Sequence, residues 1–414
     1  MGNNSYIKSI ISEFIKFSIP LKKSFLIINE NNRHRIFKKN RKIYQYIILL
    51  NVVEKENDIQ TLIEEAGKHI ASDGRLIIIY KNYLQLYFYD IINLVKGKNL
   101  SSNNWLSSSD IKSFLLLSGF DLITQKPLCI MNLKIPLFSP ILNRLVVNIF
   151  PFNHLSFLQA VVARKVGTTI ADKSVSIVIP ARNEQGNIES LFKKISPVGS
   201  ETEIIFVEGY SKDNTFAEIE RCIKKYSKIL PISFKIVKQK GIGKATAVKE
   251  GFKLARGEIF IIYDADMSVG FSDLYKFYLA LIAHKGEFIN GSRLVYPMEK
   301  NAMQFLNILG NKFFGFLYSW ILGQRIKDTL CGTKVFYKDD YELITRQNFF
   351  GKYDPFGDFE LLLGAGKLNL KIIDLPIRYF ERTYGSTNIK RFKNALELAR
   401  FSLIAIKQFK MRLI

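Results

Sequence analysis

The sequence predicts an α/β protein in two parts: a shortened α/β domain over residues 1–165, then an open, mostly parallel sheet covered by helices over residues 174–414. Three observations carry this. Strand-like and helix-like segments alternate along both parts, the pattern that lays helices on both faces of a parallel sheet. A short, polar, glycine-bearing stretch, KVGTTIADK at 165–173, separates them. In the second part polar residues collect directly after the strands, where ligands of such sheets bind.

Composition sets the frame. The 414 residues are 48% apolar and 23% charged, which excludes disordered, collagen-like and low-complexity chains. Sixty Lys and Arg against 37 Asp and Glu give a net charge of +23, which favours a polyanionic neighbour: nucleic acid, an anionic membrane face or a phosphorylated substrate. The excess is shared, since residues 1–170 hold 22 basic and 11 acidic residues, so neither part is a basic tail. Cys129, Cys222 and Cys331 form neither a disulfide framework nor a metal pair, which suits a reducing cytosol. The start, MGNNSYIKSIISEFIKF, carries Glu13 and Lys16 where a signal peptide needs an apolar core, and reads as an amphipathic helix. Ile135 to Phe152 is interrupted by prolines, Asn143 and Arg144, so no membrane span is expected.

The elements of the first part follow in order. Residues 24–35, SFLIINENNRHR, hold a candidate first strand; YQYIILL at 44–50 is a strand; residues 58–70 are a helix capped by Asp58; RLIIIY at 75–80 and residues 119–124 are further strands. In the second part strands are expected at 174–179, 203–207, 234–238, 258–263 and 287–290, with helices at 187–195, 214–226, 244–255 and 272–284. The segment Ala302 to Gly323 is aromatic on every side and reads as a buried helix pair or a lipid-contacting surface. The tail from Ala395 to Ile414 has the pattern of an interfacial amphipathic helix or of a plain docking helix.

The most informative element is IFIIYDAD at 259–266. In extended chain Asp264 and Asp266 point the same way, so two carboxylates at the end of a buried strand can share one hard cation, with a diphosphate as its natural load. The structural alternative is a loop pair in which one Asp caps the helix near Ser272.

With these residues identified, VSIVIPARNE at 175–184, EIIFVEGYSKDNT at 203–215, KGIGKATAVKEGF at 240–252, YDADMSV at 263–269 and NGSR at 290–293 resemble successive motifs of glycosyltransferase family 2, in its dolichyl-phosphate mannosyltransferase-like branch. The resemblance continues through KDTLCGTKVF at 327–336, FGDFELLLGA at 356–365 and RTYGSTN at 382–388. It implies a GT-A fold, a nucleotide-diphosphate sugar donor, Mg2+ or Mn2+, and inversion at the anomeric carbon. Carried over by position, Pro180, Arg182 and Glu184 would line the base and ribose pocket, with Glu208 as an acceptor for the base, although Gly209 stands where the family has a second carboxylate. Asp264, Ala265 and Asp266 match the metal and diphosphate motif, and Lys244 begins a helix near the donor phosphates. Arg382, Gly385 and Ser386 match the late motif only loosely, with Thr387 where a lysine is common and Asn388 and Lys390 as partial substitutes.

On the acceptor side, Asp358 and Glu360 are two apart, so on a helix they diverge by about 200 degrees and cannot both face one site. Glu360 holds the family's usual acidic position, and Asp358 is the candidate base for a hydroxyl acceptor. Arg293 and Arg382 are candidates to hold a phosphate, or else to pair with neighbouring carboxylates. KGIGKAT lacks the Walker spacing, and Asp213 with Thr215 reads equally as a plain helix start.

In the first part, residues 58–82 and SGFDLIT at 118–124 resemble class I S-adenosylmethionine methyltransferases. Residues 24–35 contain no glycine where close cofactor approach needs one, so this Rossmann-like methyltransferase domain is expected to be shortened and without activity, or to act as a docking module. The expected whole is a cytoplasmic hexosyltransferase, peripheral on the membrane face, acting on a polyprenyl phosphate or an envelope glycan and not on nucleic acid. The alternatives are a soluble-acceptor transferase using Asp358, or a basic membrane or nucleic-acid binding protein on a degenerate enzyme fold.

Overall fold

The computed structural model describes residues 2–32, 42–96, 103–297, 305–347, 357–382, 384–385 and 391–411. The chain divides into two compact units: Met1–Gly167 with Leu403–Ile414, and Thr168–Ser402. The last helix thus changes unit at Leu403, whereas the sequence reading kept the whole tail with the second part.

The first unit opens with helix α1 (Gly2–Ser18). Its sheet contains β1 (Phe25–Ile28), β2 (Tyr44–Leu50), β3 (Ile70–Lys81), β4 (Phe120–Cys129) and β5 (Leu158–Lys165), in the order β1-β2-β3-β5-β4. β1, β2 and β3 are parallel, while β5 runs antiparallel to both β3 and β4. Asp58 caps α2 (Ile59–Lys68), its side chain accepting from the Thr61 N–H at 3.0 Å. Further helices are α3 (Tyr83–Val95), α4 (Ser108–Leu117) and the short α5 (Phe138–Arg144). Alternation along the strands divides the core: Ile47, Leu49, Leu76 and Ile78 pack with α2 and α4, whereas Ile48, Ile77 and Ile79 pack with Ile10, Ile11 and Phe14 of α1.

The second unit holds a seven-stranded sheet in the order β12-β10-β11-β9-β6-β7-β8. Its strands are β6 (Val175–Ala181), β7 (Thr202–Glu208), β8 (Ile232–Lys238), β9 (Ile259–Ile262), β10 (Phe288–Ser292), β11 (Lys334–Tyr337) and β12 (Ile372–Pro376). All are parallel except β11, which is antiparallel to β9 and β10. The helices are α6 (Gln185–Lys194), α7 (Thr215–Tyr226), α8 (Lys244–Leu254), α9 (Asp273–Ile282), α10 (Phe305–Leu322), α11 (Lys338–Gln347), α12 (Asp358–Lys367) and α13 (Arg391–Phe409). Ile177, Ile179, Ile204, Phe206 and Ile261 are fully buried in its core, which explains why these strands read as continuous apolar runs.

Two expectations are corrected here. The described part of Ala302 to Gly323 is one helix, α10, and not a pair: Tyr318, Ile321 and Leu322 are buried on one side while Leu309, Phe313 and Phe316 are exposed on the other. The strands β5, β11 and β12 were not anticipated. Among the described residues, no helix is long and apolar enough to cross a membrane.

Candidate active site

Loops follow the carboxyl ends of β6, β7 and β9, and the first two hold one another. Asn183, Tyr210 and Met267, one on each loop, have φ of 56°, 55° and 55°, a left-handed backbone that non-glycine residues adopt only where surrounding contacts enforce it. Around Asn183 and Tyr210 such contacts are present. The Asn183 N–H donates to Ser211 Oγ at 3.0 Å, the Lys212 N–H to Asn183 Oδ1 at 2.7 Å, and the Ser211 N–H to Glu208 Oε1 at 2.5 Å. The Glu184 N–H donates to Thr215 Oγ1 at 2.9 Å. Asp213 accepts from its neighbours, the Gln185 N–H at 3.3 Å and the Thr215 N–H at 3.1 Å, which is the helix-start role. Glu208 is buried, Pro180 half-buried and Arg182 exposed along this edge.

Beyond β9 the chain turns sharply, held by the Tyr263 hydroxyl donating to the Val269 carbonyl at 2.6 Å. Asp264 and Asp266 emerge here with Ala265 buried between them. Each carboxylate holds a cationic side chain: Lys244 Nζ lies 2.6 Å from Asp264 Oδ1, and Arg382 Nη2 lies 2.5 Å from Asp266 Oδ2. The other oxygen of Asp266 accepts from the Ser268 N–H at 3.0 Å and Oγ at 2.7 Å. Burial disfavours the charge on Asp264, yet the adjoining Lys244 prevails and holds its carboxyl below the usual range. Gly332 backs onto this pair, for a Cβ there would lie 2.3 Å from Asp264 Oδ2 and 2.4 Å from Lys244 Nζ.

Arg382 is positioned by a strand-like contact. Val269 bridges to Tyr379, and the Phe380 N–H donates to the Ser268 carbonyl at 2.9 Å. Farther along, the Tyr384 ring covers Gly186, where a Cβ would lie 2.5 Å from a ring carbon. Ser386, Thr387, Asn388 and Lys390 lie outside the described residues.

Glu184 faces this cluster. Its carboxyl is pushed up to about 7, first by burial, with the charge of Asp266 adding to it, against a hydrogen bond from Asn187 Nδ2 to Glu184 Oε2 at 2.6 Å.

Two of the remaining candidates, Arg293 and Glu360, are otherwise engaged. The guanidinium of Arg293 forms a fork with fully buried Asp328, Nε to Oδ2 at 2.7 Å and Nη2 to Oδ1 at 2.9 Å, and lies 5.1 Å from the Tyr379 ring centre. That is the carboxylate-pairing alternative for this arginine. Glu360 is buried on α12 with Lys249 of α8 at 2.5 Å. Asp358 begins the same helix, though its side chain lies outside the described residues. Sequence reasoning missed Gly332, Asp328, Asn187 and Ser211, although Gly332 and Asp328 fall in the quoted motif KDTLCGTKVF and Ser211 in EIIFVEGYSKDNT; Asn187 falls in none.

The chemistry of the donors can be tested against a metal. Among the described residues no three His, Cys, Asp or Glu converge on one point. Asp264 and Asp266 offer two carboxylates, which suits a hard cation that takes its other oxygens from substrate phosphates and water.

The family description Glycosyl transferase family 2 matches residues 176–350. The chain is 26% identical over 224 residues to the UDP-N-acetylglucosamine--dolichyl-phosphate N-acetylglucosaminyltransferase of Methanococcus voltae, covering 51% of this chain and 88% of that protein. It is 29% identical over 225 residues to the dolichyl-phosphate beta-glucosyltransferase of Saccharomyces cerevisiae, covering 50% of this chain and 67% of that one. With the dolichol-phosphate mannosyltransferase of Pyrococcus furiosus it shares 28% over 224 residues, 52% of this chain and 59% of the other. Among solved structures, glucosyl-3-phosphoglycerate synthase from Mycobacterium tuberculosis with Mn2+, UDP-glucose and phosphoglyceric acid aligns with a TM-score of 0.41 at 15% identity, covering 59% of this chain and 86% of that one.

Proposed function

The chain carries a family 2 glycosyltransferase domain at residues 176–350, and on that premise we propose that it moves a hexose, with inversion, from a nucleotide-diphosphate donor to a polyprenyl phosphate or an envelope glycan at the cytoplasmic membrane face. The observation that carries this reading is the carboxylate pair at the end of β9, bracketed by Lys244 and Arg382 in a crevice shared with Glu184 and Glu208. The relatives named above, whose names give dolichyl phosphate as acceptor, support it.

Asp264 and Asp266 would hold Mg2+ or Mn2+, which when bound supplies positive charge to the leaving diphosphate. The chain's own residues do the rest. Lys244 and Arg382 are mobile-ended cations already at the crevice and can turn from carboxylate to phosphate, Arg382 through a planar fork. Glu208, pinned by the Ser211 N–H, offers its other oxygen to the base, flanked by Pro180 and Arg182. Glu184, with its carboxyl near neutrality, can donate as well as accept toward ribose. A lipid phosphate has its second ionisation near ~6, so its oxygen attacks the anomeric carbon without a base as the bond to the diphosphate breaks.

We further read the first unit as the shortened methyltransferase-like domain. Supporting this is the turn after β1, where Asn side chains take up backbone groups: Asn32 Oδ1 accepts from the Asn29 N–H at 2.8 Å, and Asn29 Oδ1 from the Asn31 N–H at 3.0 Å. A cofactor could not claim these donors.

The test is transfer and nucleotide release measured with a panel of nucleotide-diphosphate sugars, with and without divalent metal. Asp266→Ala should abolish transfer and metal-dependent nucleotide binding while remaining folded. Arg382→Lys should damage transfer strongly, whereas Asp358→Asn should retain activity. Near-normal turnover by Asp266→Ala removes the metal assignment; a dead, folded Asp358→Asn beside a nearly normal Arg382→Lys on a soluble sugar removes the phosphate acceptor.

A further inference from the structure

The connection between β4 and β5, residues 130–157, is partly reversed in polarity. Ser139, Asn143, Asn148 and Ser156 are buried, while Lys134 and His154 stay exposed. Ser139 is fully buried, donating to the Leu133 carbonyl at 2.6 Å and accepting from the Ile135 N–H at 2.8 Å. Buried Asn143 accepts from the Ile130 and Met131 N–H groups at 2.8 and 3.0 Å and donates to the Met131 carbonyl at 2.8 Å. The large apolar side chains point outward: Leu137, Phe138, Ile141 and Phe150 are 83%, 61%, 52% and 77% exposed. Phe138, Ile141 and Leu145 share one face of α5 and its continuation. A segment in water does the opposite, and a contiguous apolar surface of this kind marks a contact.

The surface extends onto α3. Asn82, just before that helix, donates through Nδ2 to the His154 carbonyl at 2.5 Å and through its backbone to Phe157 at 3.1 Å, so the helix starts beside the end of the reversed segment. From there Tyr83, Tyr87, Ile91 and Leu94 are exposed at helical spacing, with the Trp105 ring edge-on to Tyr87 at 5.5 Å. Aromatic rings with a polar tip are the side chains that favour a membrane–water boundary.

Charge selects the occupant. No acidic residue occurs between Asp121 and Asp172, while Lys134 and Arg144 lie within the segment, Arg144 being paired with Glu13 of α1 at 3.4 Å. Asn148 donates to the Lys410 carbonyl at 3.3 Å, which brings the end of α13, with Lys407 and the following Lys410, to the same edge. A two-fold contact between copies would set Lys134, Lys407 and Lys410 against their counterparts with no carboxylate in the segment to offset them. An anionic bilayer accepts both the apolar face and the cationic edge.

We propose that residues 130–157, together with the exposed face of α3, dock the first unit onto an anionic lipid bilayer, with Leu137, Phe138 and Phe150 entering the headgroup boundary. This goes beyond the transfer reading, because it requires neither donor nor acceptor. The full-length protein is sedimented with vesicles of phosphatidylglycerol and phosphatidylcholine, and with phosphatidylcholine alone, without nucleotide. Wild type should pellet with the anionic vesicles, less so at high salt, and Phe138→Glu/Phe150→Glu should lower partitioning at least about tenfold. Leu137→Asp is the second variant, and each is used only if its thermal midpoint matches wild type. Phe316→Glu on the exposed side of α10 should bind vesicles as wild type does. Unchanged binding by both first-unit variants, or loss confined to Phe316→Glu, overturns the proposal. So does a wild type that ignores vesicles but forms dimers that Phe138→Glu/Phe150→Glu dissolves. Transfer to a short-chain acceptor, assayed separately, tells failure of docking from failure of the proposed reaction.

Discussion

Replacing Gly332 by alanine tests the active-site reading at a residue with no functional group. A Cβ at this position would meet Asp264 Oδ2 at 2.3 Å and Lys244 Nζ at 2.4 Å, whereas real Cβ contacts do not fall below 3.0 Å. The lysine end can swing away, but the aspartate is tethered to the end of β9, so its oxygen must move by roughly 0.7 Å, the difference between 3.0 and 2.3 Å. A displacement approaching 1 Å in a positioned group costs about 10²-fold in rate. The same overpacking costs about 1–3 kcal/mol of stability, because Gly332 is buried. The assay is nucleotide release from the donor with acceptor present, run well below the thermal midpoint, with kcat and KM for the donor resolved. Gly332→Ala should lose about two orders of magnitude in kcat/KM while its folded signal persists. If it turns over within about threefold of wild type while Asp266→Ala is dead, the oxygen of Asp264 facing Gly332 does not serve the reaction.

Three further outcomes follow from the geometry. Glu184 titrates near 7 in the folded chain against 4.5 for an ordinary glutamate, so the native state keeps a proton that the unfolded chain has released. Its contribution to stability therefore falls as pH rises through that window, and Glu184→Gln should stabilise the protein on the order of 1–2 kcal/mol above about pH 8 and little near about pH 4, read by urea unfolding. Asp328→Ala strands the buried guanidinium of Arg293 and should cost about 3–5 kcal/mol in the same measurement; a loss below about 1 kcal/mol would mean that the fork is solvated after all. Calorimetry should detect no micromolar binding of S-adenosylmethionine to the full chain, and a measured site in that range would revive a methyltransferase role.

Legibility followed the range of the interactions. VSIVIP and EIIFVE read as strands because both sheet faces bury β-branched residues, and Asp264 with Asp266 read as a pair because the two-residue period of extended chain is local. β11 left no such trace: KVFY is four residues long and enters against the direction of its neighbours, so no alternation announces it. β5, with LQAVVARK, lies directly beside the polar stretch at 165–173 and was absorbed into the boundary. The approach of Gly332 to Asp264 and the fork of Arg293 with Asp328 join segments far apart in the chain, and neither has a spacing rule. For the same reason the sequence could place Glu360 on a helix but not supply Lys249 as its partner.

The two ion pairs at the end of β9 balance one another's charges at rest: two carboxylates, one ammonium and one guanidinium. A ligand entering such a place must exchange partners. A diphosphate that draws Lys244 and Arg382 toward itself uncovers two anions that then call for a cation, and a cation that settles on the aspartates releases two positive side chains that call for a phosphate. On the proposed reading each guest frees the partners of the other, so by linkage each would raise the affinity for the other by an equal factor. Such a crevice would act as a coincidence gate, weak toward either guest by itself and committed when both are present.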